Sequence, residues 1–363
     1  MLEVAAGSVR AYHLFDVADT IDLAQMKALA GDSRAPAELP LRPHTSPAYL
    51  QFPVPPLVAT LADATIGELH CGVRLKLFDY GVMSLRLTFD AAGTWNDLVT
   101  LAERVRTDER IARFAEATVG DVCREHANAL DDVHPPLMED YFVVEIERFT
   151  DAVDAETLLD EHFAAVASLL LGERKPLSSS ESDEALRTRF SYHEDDLTIV
   201  QWDTAFVYDR DESARAIEDI LEFANSQLLE LRTYDALLDR ELDGIYKMQP
   251  GKAARSLRGG PEAEHAASLR YLIVDVLELI DRSSNALKVV GDSYYARIYR
   301  TAAARLGLAD WQRQIDAKLA SVGDMYRFFS DQARANRDTF LEWIVIALIA
   351  LELVVGVVTL VHH

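Results

Sequence analysis

Three groups of residues in this 363-residue sequence have types and spacings that bear on chemistry. The densest is Tyr192-His193-Glu194-Asp195-Asp196. An acid–base or metal site would use such carboxylates beside an imidazole, but a solvated hairpin turn produces the same run, and a turn is the expectation. Asp121, Cys123 and His126 fall at helical spacing, a pattern read as one buried thiol beside surface charges rather than an activated nucleophile. Lys247, Lys252, Arg255 and Arg258 place four cations in twelve residues with no acid between them. The plain reading of that run is a solvated loop. The functional reading is contact with anionic headgroups, at about 1 kcal/mol per basic residue near a membrane surface. Neither a phosphate-cradling glycine loop nor a His-Glu-x-x-His or Cys/His cluster is present, so no catalytic, cofactor-binding or metal-ligating residue is assigned. Members of a catalytic triad need not be neighbours in sequence, which keeps an enzyme with an unrecognised site as the alternative.

Composition narrows the classes. Sixty acidic and 36 basic residues give a net charge of −24. Such a chain repels phosphate backbones unless one local basic patch overrides the field, so no direct nucleic-acid binding is expected. Cys71 and Cys123 match no metal spacing and read as reduced, buried thiols in a reducing compartment. The opening residues lack the basic and apolar regions of a secretory signal, and none is expected.

Trp343 to Val361 form a 19-residue apolar run with one charge, Glu352. About 20 apolar residues span a bilayer core, so the run predicts a C-terminal transmembrane helix over 341–361. Arg327, Arg334 and Arg337 precede it, which predicts a single-pass protein of the bacterial inner membrane with its N-terminal part in the cytoplasm. Glu352 and Gly356, one turn apart, are the candidate intramembrane helix contact, since a small residue lets another helix approach. Lys247, Lys252, Arg255 and Arg258 are the candidate membrane-surface contact.

The elements that must position these residues follow from periodicity. Residues 9–17 alternate as a strand, 22–30 read as a short helix, and the prolines from Pro36 to Pro56 break regular structure. Residues 73–89 read as two strands turning at Asp79-Tyr80-Gly81, and 95–130 as a helix with Thr94 as its N-cap. A similar order returns with a strand over 141–149, a helix over 155–171, a polar loop over 175–183 and a hairpin over 197–208. This predicts an α+β head over 1–212, its antiparallel sheet built from a duplicated βαββα unit with helices on one face. Trp202 and Trp311 are expected as core anchors. From 213 the apolar spacing becomes 4-3, a coiled-coil seam, and predicts a three-helix antiparallel bundle over 213–340 in which Gly307 ends the second helix.

Several stretches resemble a known family. Phe223 to Tyr246 (FANSQLLELRTYDALLDRELDGIY), Gly291 to Tyr299 (GDSYYARIY), Phe340 to Val354 (FLEWIVIALIALELV) and the hairpin Phe78 to Phe89 (FDYGVMSLRLTF) are similar to the required-for-meiotic-nuclear-division family, in its YagE-type bacterial form. The resemblance implies a C-terminal hydrophobic helix entered through Leu-Glu-Trp. It carries over no catalytic residue, and the eukaryotic relatives' association with mitochondria or nuclear division implies no chemistry here. The expected function is a tail-anchored membrane scaffold or tether whose soluble head recruits an unknown protein partner. Membrane lipid and a second copy, joined through the helices, are the other expected partners. Besides the enzyme, the alternative is a soluble oligomer that buries the C-terminal helix.

Overall fold

In the computed structural model, which describes residues 2–30, 41–43, 50, 52–209, 213–247, 274, 293–321 and 323–324, the alternation around 9–17 forms part of one long strand, β1 (Glu3–Ile21). The chain divides into two units, Met1–Thr233 with Leu279–Trp311, and Tyr234–Glu278 with Gln312–His363. In the first unit, β1 runs through the centre of a ten-stranded sheet. The other strands are β2 (Arg42–Pro43), β3 (Leu57–Thr60), β4 (Ala64–Ile66), β5 (Leu69–Leu77), β6 (Val82–Thr94), β7 (Leu130–Phe149), β8 (Arg189–Phe190), β9 (Leu197–Val200) and β10 (Thr204–Tyr208). Their order is β2-β3-β5-β6-β1-β7-β10-β9-β8, with β4 on β5. The helices are α1 (Leu23–Ala30), α2 (Trp95–Thr107), α3 (Glu109–Glu125), α4 (Ala155–Leu171), α5 (Ser179–Ala185), α6 (Ser213–Lys247) and α7 (Ser293–Arg305).

Local chemistry sets the boundaries. Thr94 and Asp97 form a capping box at the start of α2. The helix expected over 95–130 breaks at Asp108, which ends α2 and whose carboxylate accepts from the Arg110 N–H to cap α3. The turn between β5 and β6 needs Gly81: its φ is +92°, and a Cβ there would overlap the carbonyl oxygen of Ala18 on β1. Gly307, also left-handed at φ +67°, follows the end of α7, and a further helix covers 308–321.

The sheet is mixed, not antiparallel. β7 pairs antiparallel with β1 but parallel with β10. This also separates the two halves that resemble a repeat. The order β5-β6-β1 is mirrored by β9-β10-β7, yet β6 runs antiparallel to β1 while β10 runs parallel to β7. Nor are the helices on one face. Val9, Ala11 and Phe15 of β1, with Leu85 and Leu87 of β6 and Val144 of β7, point into an apolar core with α2, α3 and α4, where Val105, Ile111, Val119, Leu158 and Leu170 are buried. Each such side chain contributes about 1.5–3 kcal/mol. The opposite face carries Ser8, Arg10, Tyr12, Lys76 and Arg86 and lies under α6, to which Tyr12, Lys76 and Arg86 hydrogen-bond. Helices therefore sandwich the sheet.

In the second unit, Lys318 lies 2.7 Å from both Asp235 and Asp239, and Leu238 is fully buried. Most of the second helix expected for the bundle lies outside the described residues, as does the whole segment 341–361. Among the described residues no helix is long and apolar enough to cross a membrane. The transmembrane, tail-anchored and single-pass inner-membrane expectations are corrected accordingly; an apolar run establishes length and hydropathy, not insertion. Trp202 is also corrected: it is 66% exposed in the turn between β9 and β10, where nothing packs over it as a core anchor would require.

One polar group breaks the apolar face. His13 of β1, opposite Leu85 and Asp140 in its neighbours' ladders, is 2% exposed, and neither ring nitrogen has a hydrogen-bond partner among the described residues. Phe142 meets it edge-on, with centroids 6.5 Å apart. Burial pushes its pKa down to about 4 from 6.5. The unfolded chain then takes up a proton that the folded chain refuses, so stability falls as pH drops from 6.5 towards 4. At about 1.4 kcal/mol per pH unit the loss is about 3 kcal/mol below pH 4. Urea unfolding of wild type and His13→Leu at pH 7 and pH 4 checks this. The variant should lose about 3 kcal/mol less than wild type on acidification, and equal losses would rule out His13 as the acid-sensitive group.

Candidate functional site

Two places in the first unit gather polar side chains. One is an open cleft of about 980 Å³ lined by Ala152–Asp154 and Ser191–Asp195. Its two walls are tied together, since the Ala155 N–H donates to the Glu194 carbonyl at 2.9 Å. Below them, the Tyr208 hydroxyl donates to the Val153 carbonyl at 2.5 Å. The 191–195 wall is a turn between β8 and β9, closed by the Tyr192 N–H donating to the Asp196 carboxylate at 2.6 Å, as the sequence indicated. Tyr192 is 63% exposed and stands edge-on to His193 and to Tyr294 of α7, with centroids 4.8 and 5.3 Å away. Asp154 caps α4 by accepting from the Thr157 N–H at 2.7 Å, a contact that lowers its pKa. The side-chain carboxylates of Glu194 and Asp195 make no hydrogen bond or ion pair among the described residues, so the cleft presents two unengaged anions beside an aromatic face.

The other place is the sheet face under α6. Register puts Tyr141, Tyr12, Arg86 and Arg74 in one row across β7, β1, β6 and β5, with Arg10 and Lys76 in the flanking rows. The second and third turns of α6 bring Glu218, Asp219 and Glu222 against them. Glu218 pairs with Arg10 and Arg86 and accepts from the Tyr12 hydroxyl at 2.8 Å. Lys76 pairs with Glu222 and lies 2.7 Å from Asp219. Arg10 also pairs with Glu145, which accepts from Ser8. Burial alone would push the Lys76 ammonium down, but Glu222 and Asp219 outweigh it and raise its pKa. Burial, then Arg86, lowers Arg74. The Tyr80 hydroxyl and Ser226, 2.8 Å apart, continue the contact along α6, and Tyr299 of α7 donates to Gln227. The sequence held two signals for this face, the alternating cations of strand 73–77 and the acidic second and third turns of α6. It held no signal for the pairing between them, since the partners are about 140 residues apart.

The remaining candidates separate. His126 ends α3 with its ring 3.1 Å from the Val122 carbonyl, and Asp121 pairs with Arg124. The Cys123 thiol lies 4.0 Å from the Met83 sulfur, and burial pushes its pKa up to about 11, which removes it as a nucleophile. Cys71 is buried and free. Among the described residues no three His, Cys, Asp or Glu side chains could share a metal. Lys247 is the last residue of α6. Lys252, Arg255, Arg258, Glu352 and Gly356 lie outside the described residues.

Fold and site define a class: an α+β domain whose mixed sheet is covered on one face by apolar helices and on the other by a charge-paired helix. Residues 6–214 match the family described as the N-terminal domain of uncharacterized protein MJ0711, and the chain belongs to that family. It is similar to uncharacterized protein MJ0711 of Methanocaldococcus jannaschii, at 23% identity over 214 residues, which is 59% of this chain. The match spans 65% of that relative's length. No solved structure matches. This corrects the resemblance to the required-for-meiotic-nuclear-division family. Most of the residues that suggested it lie beyond 214, in heptad-spaced or apolar sequence on whose spacing unrelated chains converge.

The charged contact gives a stability prediction. Removing one partner of a buried ion pair leaves the other uncompensated, so Lys76→Met should cost about 3–5 kcal/mol. Adding Glu222→Met should recover about 1 kcal/mol or more, because it removes one stranded charge. Chemical unfolding of both variants measures it, and strictly additive losses would show that the two side chains do not act as a pair.

Proposed function

We propose that this chain is a non-catalytic recruiting protein, and that its α+β unit holds a basic segment of a partner polypeptide in the cleft beside Tyr192. The observation that carries the reading is the pair of unengaged carboxylates, Glu194 and Asp195, next to an aromatic ring 63% exposed. A guanidinium or ammonium over that ring gains about 0.5–1 kcal/mol at an exposed site. Complementary charge adds specificity and on-rate, and a chain of net charge −24 draws cations towards itself. The tie between Ala155 and Glu194 supports a cleft formed before its ligand arrives, which lowers the ordering cost of binding. A three-helix bundle over 213–340 is the finer part of the same proposal; α6, α7 and the helix over 308–321 fall within that range.

Binding of a fluorescent Arg/Lys-rich octapeptide to the full chain tests the reading. Binding should weaken as salt rises. Glu194→Lys with Asp195→Lys should reduce affinity at least about tenfold, and Tyr192→Ala about two- to fivefold, the range a single exposed cation–π contact supplies. No salt-dependent binding, or equal binding by the charge-reversed variant, would overturn it.

A further inference from the structure

We infer that the sheet face under α6 is a binding platform for single-stranded nucleic acid, which α6 occupies in the resting chain. The inference is independent of the cleft and uses none of its residues. The row Tyr141–Tyr12–Arg86–Arg74 crosses four adjacent strands, and Arg10 and Lys76 flank it. At about 4.8 Å between strands the row is about 15 Å long. A sheet face with two aromatic rings on neighbouring strands beside a run of cations is one on which bases can stack while phosphates meet Arg and Lys. The net charge of −24 argues against nucleic acid only in the absence of a local basic patch, and this face gathers Arg10, Arg74, Lys76 and Arg86 into one.

What covers the platform has the ligand's chemistry. Glu218, Asp219 and Glu222 stand against Arg10, Arg86 and Lys76 where phosphates of a bound strand would stand, and Glu218 takes the Tyr12 hydroxyl as well. The cover combines these ion pairs with buried Ile217, Ile220 and Leu221 in the same turns; the apolar part is held against water alone, whereas the carboxylates compete with any better-placed phosphate. The family match adds a second observation. It covers residues 6–214 and so includes every residue of the platform.

Two measurements on the full chain decide the matter. The first compares fluorescein-labelled oligo(dT) binding by wild type and by Glu218→Gln/Asp219→Asn/Glu222→Gln, with near-ultraviolet circular dichroism as the check on folding. The triple variant should bind at least tenfold more tightly than wild type, with affinity falling steeply with salt, and adding Arg74→Gln and Arg86→Gln should abolish the gain. A folded triple variant with wild-type affinity overturns the inference. The second measurement uses wild type alone and does not depend on the variant folding. Saturating oligo(dT) should raise amide hydrogen exchange over 213–233 while leaving α2 and α3 unchanged. Unchanged exchange over 213–233 at millimolar oligonucleotide also overturns it.

Discussion

The contact on which the first unit depends is the set of buried ion pairs between α6 and the sheet. Arg10, Lys76 and Arg86 lie on strands whose opposite face is fully committed to the apolar core. Without a partner each would be a charge taken out of water at a cost of several kcal/mol. The helix supplies the partners from one stretch of its surface, and the apolar residues interleaved with them, Ile217, Ile220, Leu221 and Ala224, are buried in the same turns. Apolar burial alone would let a helix settle at several angles or registers. Three acids against three cations permit one, so the pairs fix where α6 sits more than how strongly it is held.

The strand order makes that contact possible. β1 is flanked by β6 on one side and β7 on the other over most of its length, and the pairings place Tyr12 opposite both Arg86 and Tyr141. The parallel pairing of β7 with β10 then extends the sheet with small and apolar residues on the same face, Ala205 and Val207, rather than with further charge. The cations paired with α6 thereby lie on β1, β5 and β6. On the apolar side His13, which has no hydrogen-bond partner among the described residues, is the exception, and burial favours its neutral form.

Much of the local structure was legible because it is encoded locally. The turn at Asp79-Tyr80-Gly81, the Thr94 cap and the bounds of α4 between Asp154 and Gly172 each rest on residues within a few positions of one another. Pairing is different. Nothing in the alternation of 141–149 or 204–208 records that the two strands run parallel. Lys76 and Arg86 alternate with apolar neighbours, a pattern that usually marks the solvent side of an antiparallel sheet. They are covered because acids more than 130 residues away pair with them. The cleft was half visible: its turn could be read from Tyr192 to Asp196, but its second wall, Ala152–Asp154, is placed only by the fold.

Charge ties these features together. An excess of 24 acids would ordinarily make the whole surface attractive to cations, and the cleft beside Tyr192 concentrates that tendency where two carboxylates are left unengaged. The sheet face reverses it. Arg10, Lys76 and Arg86 are paired with carboxylates of the helix, so much of their field is cancelled outside the molecule. A surface neutralised in this way is insensitive to weak, diffuse anions. It yields only to a ligand that satisfies several cations at once, and a row of aromatic rings and guanidinium groups about 15 Å long favours a flexible chain of phosphates and bases over any single ion.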